Sequence, residues 1–320
     1  MALGVRPVVP SRLTTWLFSH GSDHGPSHGS GRKSWGWLRG YVALTKPRII
    51  ELLLVTTIPT MVLAEGGWPS ISLMVVTLVG GTLAAGGANA INMYVDRDID
   101  RLMIRTQGRP LVTGVLTPRA ALVFAVSLEI CAFVVLYVGA NLLAACLALS
   151  ATLFYVFVYS LWLKRTSKHN IVIGGAAGAA PVLVGWAAVA NSLSWAPVVL
   201  FLVIFFWTPP HFWALAIRHT EDYRTAGVPM LPVVVSLRAT IRSMVIYSIV
   251  LLLTTLVLVP IADLGLVYGI TALLSGMAFV LGTVRLGSDP SEARSMRLFS
   301  LSITYVTVLF LALTIDVLLR

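Results

Sequence analysis

The chain has 320 residues, of which 57% are hydrophobic and 11% charged, with a mean hydropathy of +0.88 and a formal net charge of +10. A soluble globular domain carries about a quarter charged residues, so the composition excludes that class and points to an integral membrane protein. In a soluble chain such a basic excess would suggest nucleic acid; here its meaning depends on where Lys and Arg fall.

Residues 1–37 are rich in Ser, Gly, Pro and His and read as a mobile basic and polar tail. The basic start and apolar run of a secretory signal are missing from it. His20, His24 and His28 recur every fourth residue, but Gly21, Gly25, Pro26, Gly29 and Gly31 oppose the helix that would align them on a metal. Apolar segments then follow at 49–66, 71–91, 119–138, 141–163, 171–191, 195–217, 241–262, 266–286 and 297–319. Most approach the roughly 20 residues that cross a bilayer as a helix. The expected fold is therefore all-α, a polytopic membrane protein with nine transmembrane helices in one domain, 38–320. Gly139 and a short polar turn divide the third span from the fourth.

The basic residues give a second reading of the same topology. The N-terminal segment holds Arg6, Arg12, Arg32, Lys33, Arg39, Lys46 and Arg48, and the second loop Arg97, Arg101, Arg105, Arg109 and Arg119. Lys164, Arg165 and Lys168 fall in the fourth loop, Arg218, Arg224, Arg238 and Arg242 in the sixth, and Arg285, Arg294 and Arg297 in the eighth. Only Arg320 lies elsewhere, at the chain end. Because Lys and Arg collect in cytoplasmic loops, the N-terminus is expected inside and the C-terminus outside. The net charge then reflects juxtamembrane loops that meet anionic lipid and an anionic substrate, with no call for nucleic acid.

The second loop opens on NMYVDRDID. Residues four apart on a helix lie about 40° apart, so Asn92, Asp96 and Asp100 share one face while Asp98 points away. Oxygen ligands at a membrane edge suit Mg²⁺, which binds through one or two carboxylates and takes further ligands from substrate phosphates. The competing structural reading pairs Asp96 and Asp100 with Arg97, Arg101 or Arg105 on the helix surface. Polar groups at a membrane bundle favour function. Asp98 is expected to form a local ion pair or support its neighbours.

The sixth loop and its flank read WTPPHFWALAIRHTEDYRTAGVPMLPVV. Pro209 and Pro210 are expected to break or kink the helix, and AGVPMLP to be irregular backbone lining a cavity or the interface. His211, inside this span, is either a hydrogen-bonded structural histidine or a ligand to a haem iron. Asp222 is a candidate for a second acidic site, whereas Glu221 balances nearby arginines. LTKPRIIELLL opens the first span, and the GGAAGAA run after YSLWLKRTSKHNIVI permits close helix approach or room for a flat ligand. Glu51 and Glu129 lie within spans, where an unpaired carboxylate is costly. Cys131 and Cys146 sit in apolar stretches and read as packing residues.

Taken together, LTKPRII, NMYVDRDIDRLMIRTQGRPL, LKRTSKHNIVIGGAAGAAP, WTPPHFWALAI and DYRTAGVPMLPVV resemble the UbiA-type intramembrane prenyltransferases, in particular the haem-modifying branch, the protohaem IX farnesyltransferases or haem O synthases. The N-x-x-x-D-x-x-x-D element is common to the superfamily; WTPPHFWALAI and AGVPMLPVV point to the branch. The resemblance spans residues 38–320. It implies a nine-helix bundle with a central cavity, Mg²⁺ as cofactor, and farnesyl diphosphate and haem b as substrates. Asn92, Asp96 and Asp100 would be catalytic, with Asp96 and Asp100 on the metal. Lys46, Arg48, Arg105, Arg109, Lys164 and Arg165 would hold the diphosphate; His211, the one histidine within an expected span and beside Pro209 and Pro210, is the candidate for haem. It further implies a place in haem A/O biosynthesis in a bacterial inner membrane, with haem A synthase as a candidate partner. The sequence departs from quinone-type members, which carry a second D-x-x-x-D: here Ala226 stands four residues after Asp222. Two alternatives stay open at this point, a prenyltransferase acting on a quinone precursor and a secondary transporter.

Overall fold

The computed structural model describes residues 30–320, apart from the side chains of 30–35 and 48–54; His20, His24 and His28 and most of the expected tail lie outside the described residues. Helix α1 (Ser30–Thr45) runs across the 37/38 boundary and turns sharply into α2 (Pro47–Glu65). Then come α3 (Ile71–Val95), α4 (Pro118–Gly139), α5 (Leu142–Leu153), a π-helical segment Phe154–Leu163 and α6 (Lys164–Thr166), the last three forming one continuous rod. The second half holds α7 (Asn170–Ala190), α8 (Trp195–Arg218), the short α9 (Thr220–Thr225) and α10 (Leu231–Val234), then α11 (Leu237–Ile261), α12 (Leu266–Ser288) and α13 (Glu292–Leu318).

Eight described helices are long and apolar enough to cross a membrane, and α2, with 19 residues, matches the first expected span. The protein is thus an all-helical, multi-pass membrane protein. Local chemistry sets the helix starts: Ser70, Thr117, Asn141, Ser236 and Ser291 each accept a hydrogen bond from a backbone N–H of the following first turn. Pro47 and Pro118 occupy first-turn positions that need no N–H. At the far end of the bundle Asp316 serves α12 in the same way from another helix, accepting from Gly265 N at 2.6 Å and Tyr268 N at 3.1 Å while paired to Arg320.

Neighbours in sequence pack as neighbours in space, and α13 returns to both α2 and α8. The main core gathers Trp213, Tyr268, Phe279, Tyr305 and Phe310 from α8, α12 and α13. Small residues bring α3 and α4 close. A methyl group on Gly80 would lie 2.5 Å from Leu136 Cγ, and one on Gly87 2.5 Å from a Glu129 oxygen. Glu129 itself accepts from Thr152 Oγ1 at 3.2 Å.

One expectation is corrected. Pro209 and Pro210 do not break their helix; α8 runs uninterrupted through both. Both are buried, and packed neighbours offset the missing N–H groups, as they do for proline in membrane helices generally. The AGVPMLP stretch does leave the helix. Tyr223, Val228 and Met230 form a compact apolar cluster with Ile99 and Met103 of the second loop, so the two loops cover the bundle end together.

Candidate anion and metal site

Four chain segments meet at the end of the bundle that carries the second and fourth loops. The first is the elbow between α1 and α2, where Lys46 adopts a left-handed conformation (φ 50°) that costs energy for a residue with a side chain. Asn89, on α3, holds this elbow by donating to the Thr45 carbonyl at 3.2 Å. One turn further on, Asn92 Oδ1 accepts from Lys46 Nζ at 3.1 Å. The elbow therefore aims a lysine at the end of α3.

The second segment is that end itself. Helix α3 stops at Val95, yet the Asp96 N–H still bonds to the Asn92 carbonyl and the Asp100 N–H to the Asp96 carbonyl, both at 2.9 Å. The four-residue repeat thus persists through the turn, and the predicted face forms: Asp96 and Asp100 side chains are 0% and 1% exposed, Asp98 60%. Thr106 Oγ1 donates to the Asp100 carbonyl at 2.7 Å and fixes the turn.

Cations come from the third and fourth segments. Lys164 Nζ bonds to Asp96 Oδ2, and Arg109, from the second loop, bonds to Asp100 Oδ2 at 2.5 Å. Arg165 chelates Asp98 at 2.7 Å through both terminal nitrogens and lies 3.9 Å from Asp96 Oδ1. It holds the Asp98 carboxyl well below the usual carboxylate range. Burial raises the Asp100 carboxyl despite the pull of Arg109. Lys46 is pushed down to about 7, first by desolvation and then by Arg109 and Lys164. Arg109 and Lys164 add positive potential around the buried Lys46, and a polyanion beside them would relieve it.

Ser160 is the residue sequence reasoning missed. It lies one turn before Lys164, and its Oγ donates to the Tyr155 carbonyl at 2.9 Å, a five-residue step that matches the π-helical winding. Asn92 Nδ2 donates to Ser160 Oγ at 3.0 Å and to Asp96 Oδ2 at 2.8 Å. The amide is thereby fixed, nitrogen toward the carboxylate and oxygen toward Lys46. Its four-residue spacing from Lys164 was the available signal.

Asp96 Oδ1 and Asp100 Oδ1 are buried and accept no hydrogen bond. Buried carboxylate oxygens without donors are costly unless a cation completes them. Among the described residues no cluster of three or more His, Cys, Asp or Glu side chains forms a closed metal cage. Two buried carboxylates, each with one oxygen free of hydrogen bonds, fit Mg²⁺, which binds through one or two carboxylates plus ligands from a phosphate.

The other candidates lie apart from this network. Arg105 donates to Tyr223 Oη at 3.1 Å and ties the second loop to the sixth. Asp222 lies 3.8 Å from His219 Nδ1, while Glu221 pairs with Arg224. His211 sits in α8 beside Ser302. The side chains of Arg48 and Glu51 fall outside the described residues.

The UbiA prenyltransferase family model matches residues 53–313. A curated relative from Clavibacter sepedonicus, named protoheme IX farnesyltransferase, is 55% identical over 88% of this chain and 93% of its own length. Another of that name, from Streptomyces coelicolor, is 50% identical over 94% and 96%. Among solved structures, a digeranylgeranylglyceryl phosphate synthase aligns with a TM-score of 0.74 at 18% identity, covering 89% of this chain and 99% of its own. A UbiA homolog from Archaeoglobus fulgidus bound to GPP and Mg²⁺ aligns with a TM-score of 0.63 at 19% identity, covering 86% and 99%.

The geometry separates the three aspartates by role. Asp96→Ala and Asp100→Ala are each expected to weaken Mg²⁺ binding, measured by calorimetry with a diphosphate present, by about tenfold or more, the scale at which even outer partners of metal ligands act. Asp98→Ala should have a much smaller effect. Equal losses at all three positions would contradict the single-face arrangement.

Proposed function

Since the chain belongs to the UbiA prenyltransferase family, we propose that it transfers the farnesyl group of farnesyl diphosphate to a vinyl group of protohaem IX, giving haem O and releasing diphosphate. The observation that carries this reading is identity of 50% or more, over most of both chains, with proteins named protoheme IX farnesyltransferase. A carboxylate pair set among cations, at the edge of a membrane bundle, supports it.

Lys46, Arg109, Lys164 and Arg165 bind the diphosphate, arginine suiting paired oxygens and lysine acting as a point charge. Arg105, in the loop that Tyr223 anchors, is a further candidate for the diphosphate, as is Arg48 from its place in the sequence. As the diphosphate draws Lys164 and Arg109 toward itself, it releases the oxygens of Asp96 and Asp100 that they hold. Those two carboxylates would then hold Mg²⁺, the ion that a UbiA homolog from Archaeoglobus fulgidus binds together with GPP. The ion, when bound, neutralises charge that grows on the leaving oxygens. Asn92 keeps Asp96 and Lys46 in register. The C–O bond breaks with its electron pair leaving on diphosphate, the allylic cation alkylates the vinyl carbon, and water completes the hydroxyethylfarnesyl group as a proton departs. The bundle's task is to exclude bulk water from the cation until the vinyl carbon meets it. His211 is assigned to the haem side of the reaction and Asp222 to a second acidic position under the sixth loop.

Residues 38–320 form the catalytic domain and 1–37 the tail. The bilayer is a bacterial inner membrane, as the bacterial relatives suggest, with the N-terminus inside. Haem A synthase is the candidate protein partner.

Purified protein given haem b, farnesyl diphosphate and Mg²⁺ should yield a haem whose mass has grown by a farnesyl group and a hydroxyl group, with diphosphate released. Modification of an aromatic acid in place of haem would instead indicate the quinone-type activity, and absence of diphosphate release would remove prenyl transfer altogether.

Sidedness follows from the basic loops. Farnesyl diphosphate carries a head group that crosses hydrocarbon only at high cost, so the aspartates must face the cytoplasm. In a background lacking Cys131 and Cys146, Gly108→Cys and Ser288→Cys should resist an impermeant thiol reagent in intact cells, while Gly67→Cys and Ser192→Cys react. Labelling at position 108 from outside would invert the topology.

A further inference from the structure

Away from the anion site, a second polar cluster lies inside the bundle between α8 and α13. The imidazole of His211 is stacked between the indole of Trp207 and the ring of Phe299, with centroids 4.1 and 4.5 Å away and planes inclined by 19° and 24°. Trp207 Nε1 donates to the Ser302 carbonyl at 2.8 Å, which pins the two helices at this level. Ser302 Oγ lies 2.6 Å from His211 Nδ1 and donates to the Phe299 carbonyl at 2.6 Å.

A hydroxyl has one proton and two lone pairs. With the proton directed along its own helix to Phe299, Ser302 turns a lone pair toward the imidazole. The 2.6 Å contact is then a hydrogen bond only if Nδ1 carries the ring proton. A neutral imidazole protonated on Nδ1 has its basic lone pair on Nε2. Nε2 has no hydrogen-bond partner among the described residues, and it is not among their buried unsatisfied atoms. Stacking fixes the ring plane, Ser302 fixes the tautomer, and one nitrogen is left available.

We propose that Ser302 is a positioning residue that holds His211 in the Nδ1–H tautomer and so presents Nε2 as a ligand to the iron of the porphyrin substrate. The proposal rests on the assignment of His211 to haem made above. A hydrogen bond from the distal ring N–H is what orients a metal-bound histidine and raises its basicity in known sites, and here a serine 91 positions away supplies the acceptor.

The test uses the whole protein in detergent, loaded with ferrous haem b and read by resonance Raman for the iron–histidine stretch and by titration for affinity. Wild type should show the band; His211→Gly should lose it and regain an imidazole-ligated spectrum when imidazole is added. Ser302→Ala should move the band to lower frequency and weaken haem binding about tenfold, the lower end of effects from such outer partners. Ser302→Thr, which keeps the hydroxyl, should restore both. Should the alanine variant fail to fold, Ser302→Cys, with a poor acceptor, gives the same comparison. A wild-type band and affinity in Ser302→Ala, alongside loss in His211→Gly, would overturn the role of Ser302 and leave His211 on haem. A band that survives in His211→Gly would overturn both.

Discussion

Two carboxylates with almost no exposure, each held on one oxygen by a cation, one from a distant helix and one from the same loop, organise this end of the bundle. Moving a charge out of water costs several kcal/mol even after relaxation, and a partner must answer for it. Lys164 answers for Asp96 and Arg109 for Asp100. Because these cations come from the rod that ends in α6 and from the second loop, the ion pairs also determine where α3 ends relative to both. Each pair leaves the second carboxylate oxygen buried without a donor. Those two oxygens are the positions at which a cation carried in with an anion would be held.

The fold serves this arrangement by bringing backbones close where side chains must meet. A methyl group on Gly86 would touch Thr45 at 3.2 Å, so the elbow that carries Lys46 lies directly against α3. The left-handed conformation of Lys46 is an energetic cost borne at that elbow, and the contacts of Asn89 and Asn92 offset it. On the opposite side, the π-helical winding of Phe154–Leu163 places Ser160 on Asn92 and Lys164 on Asp96 from one rod. An apolar cluster from the second and sixth loops then covers the end of the bundle with packed side chains. In this way Arg105 and Tyr223 are joined across loops 118 residues apart.

Much of this was legible in the sequence because it depends on period and composition. Hydropathy located the spans, since a membrane helix must be apolar along its length. The four-residue step from Asn92 to Asp100 separated Asp98 from the buried pair, and the structure keeps that step even though the regular helix has already ended. What sequence could not supply were relations set by tertiary packing. The spacing of Ser160 from Lys164 puts the two on one face but does not name Asn92 as the donor, and nothing local marks Arg165 rather than a neighbouring arginine as the partner of Asp98. The prolines at 209 and 210 illustrate the opposite case: a strong local rule predicted a break or a kink, and the helix continues through both where packing against the bundle supports it. The contact of His211 with Ser302 likewise appears only when the last helix folds back on α8.

The central claim is that the internal cations and the metal compete for the same carboxylates, so that Mg²⁺ and the diphosphate bind as a linked pair. Titration of Mg²⁺ into the detergent-purified protein, with and without a non-hydrolysable farnesyl diphosphate analogue, measures this linkage directly. The analogue should tighten Mg²⁺ binding by about tenfold or more, within the usual range of coupling between sites, and Lys164→Gln should strengthen binding of the metal alone. Equal Mg²⁺ affinity in both conditions, together with no gain in the Lys164 variant, would contradict it.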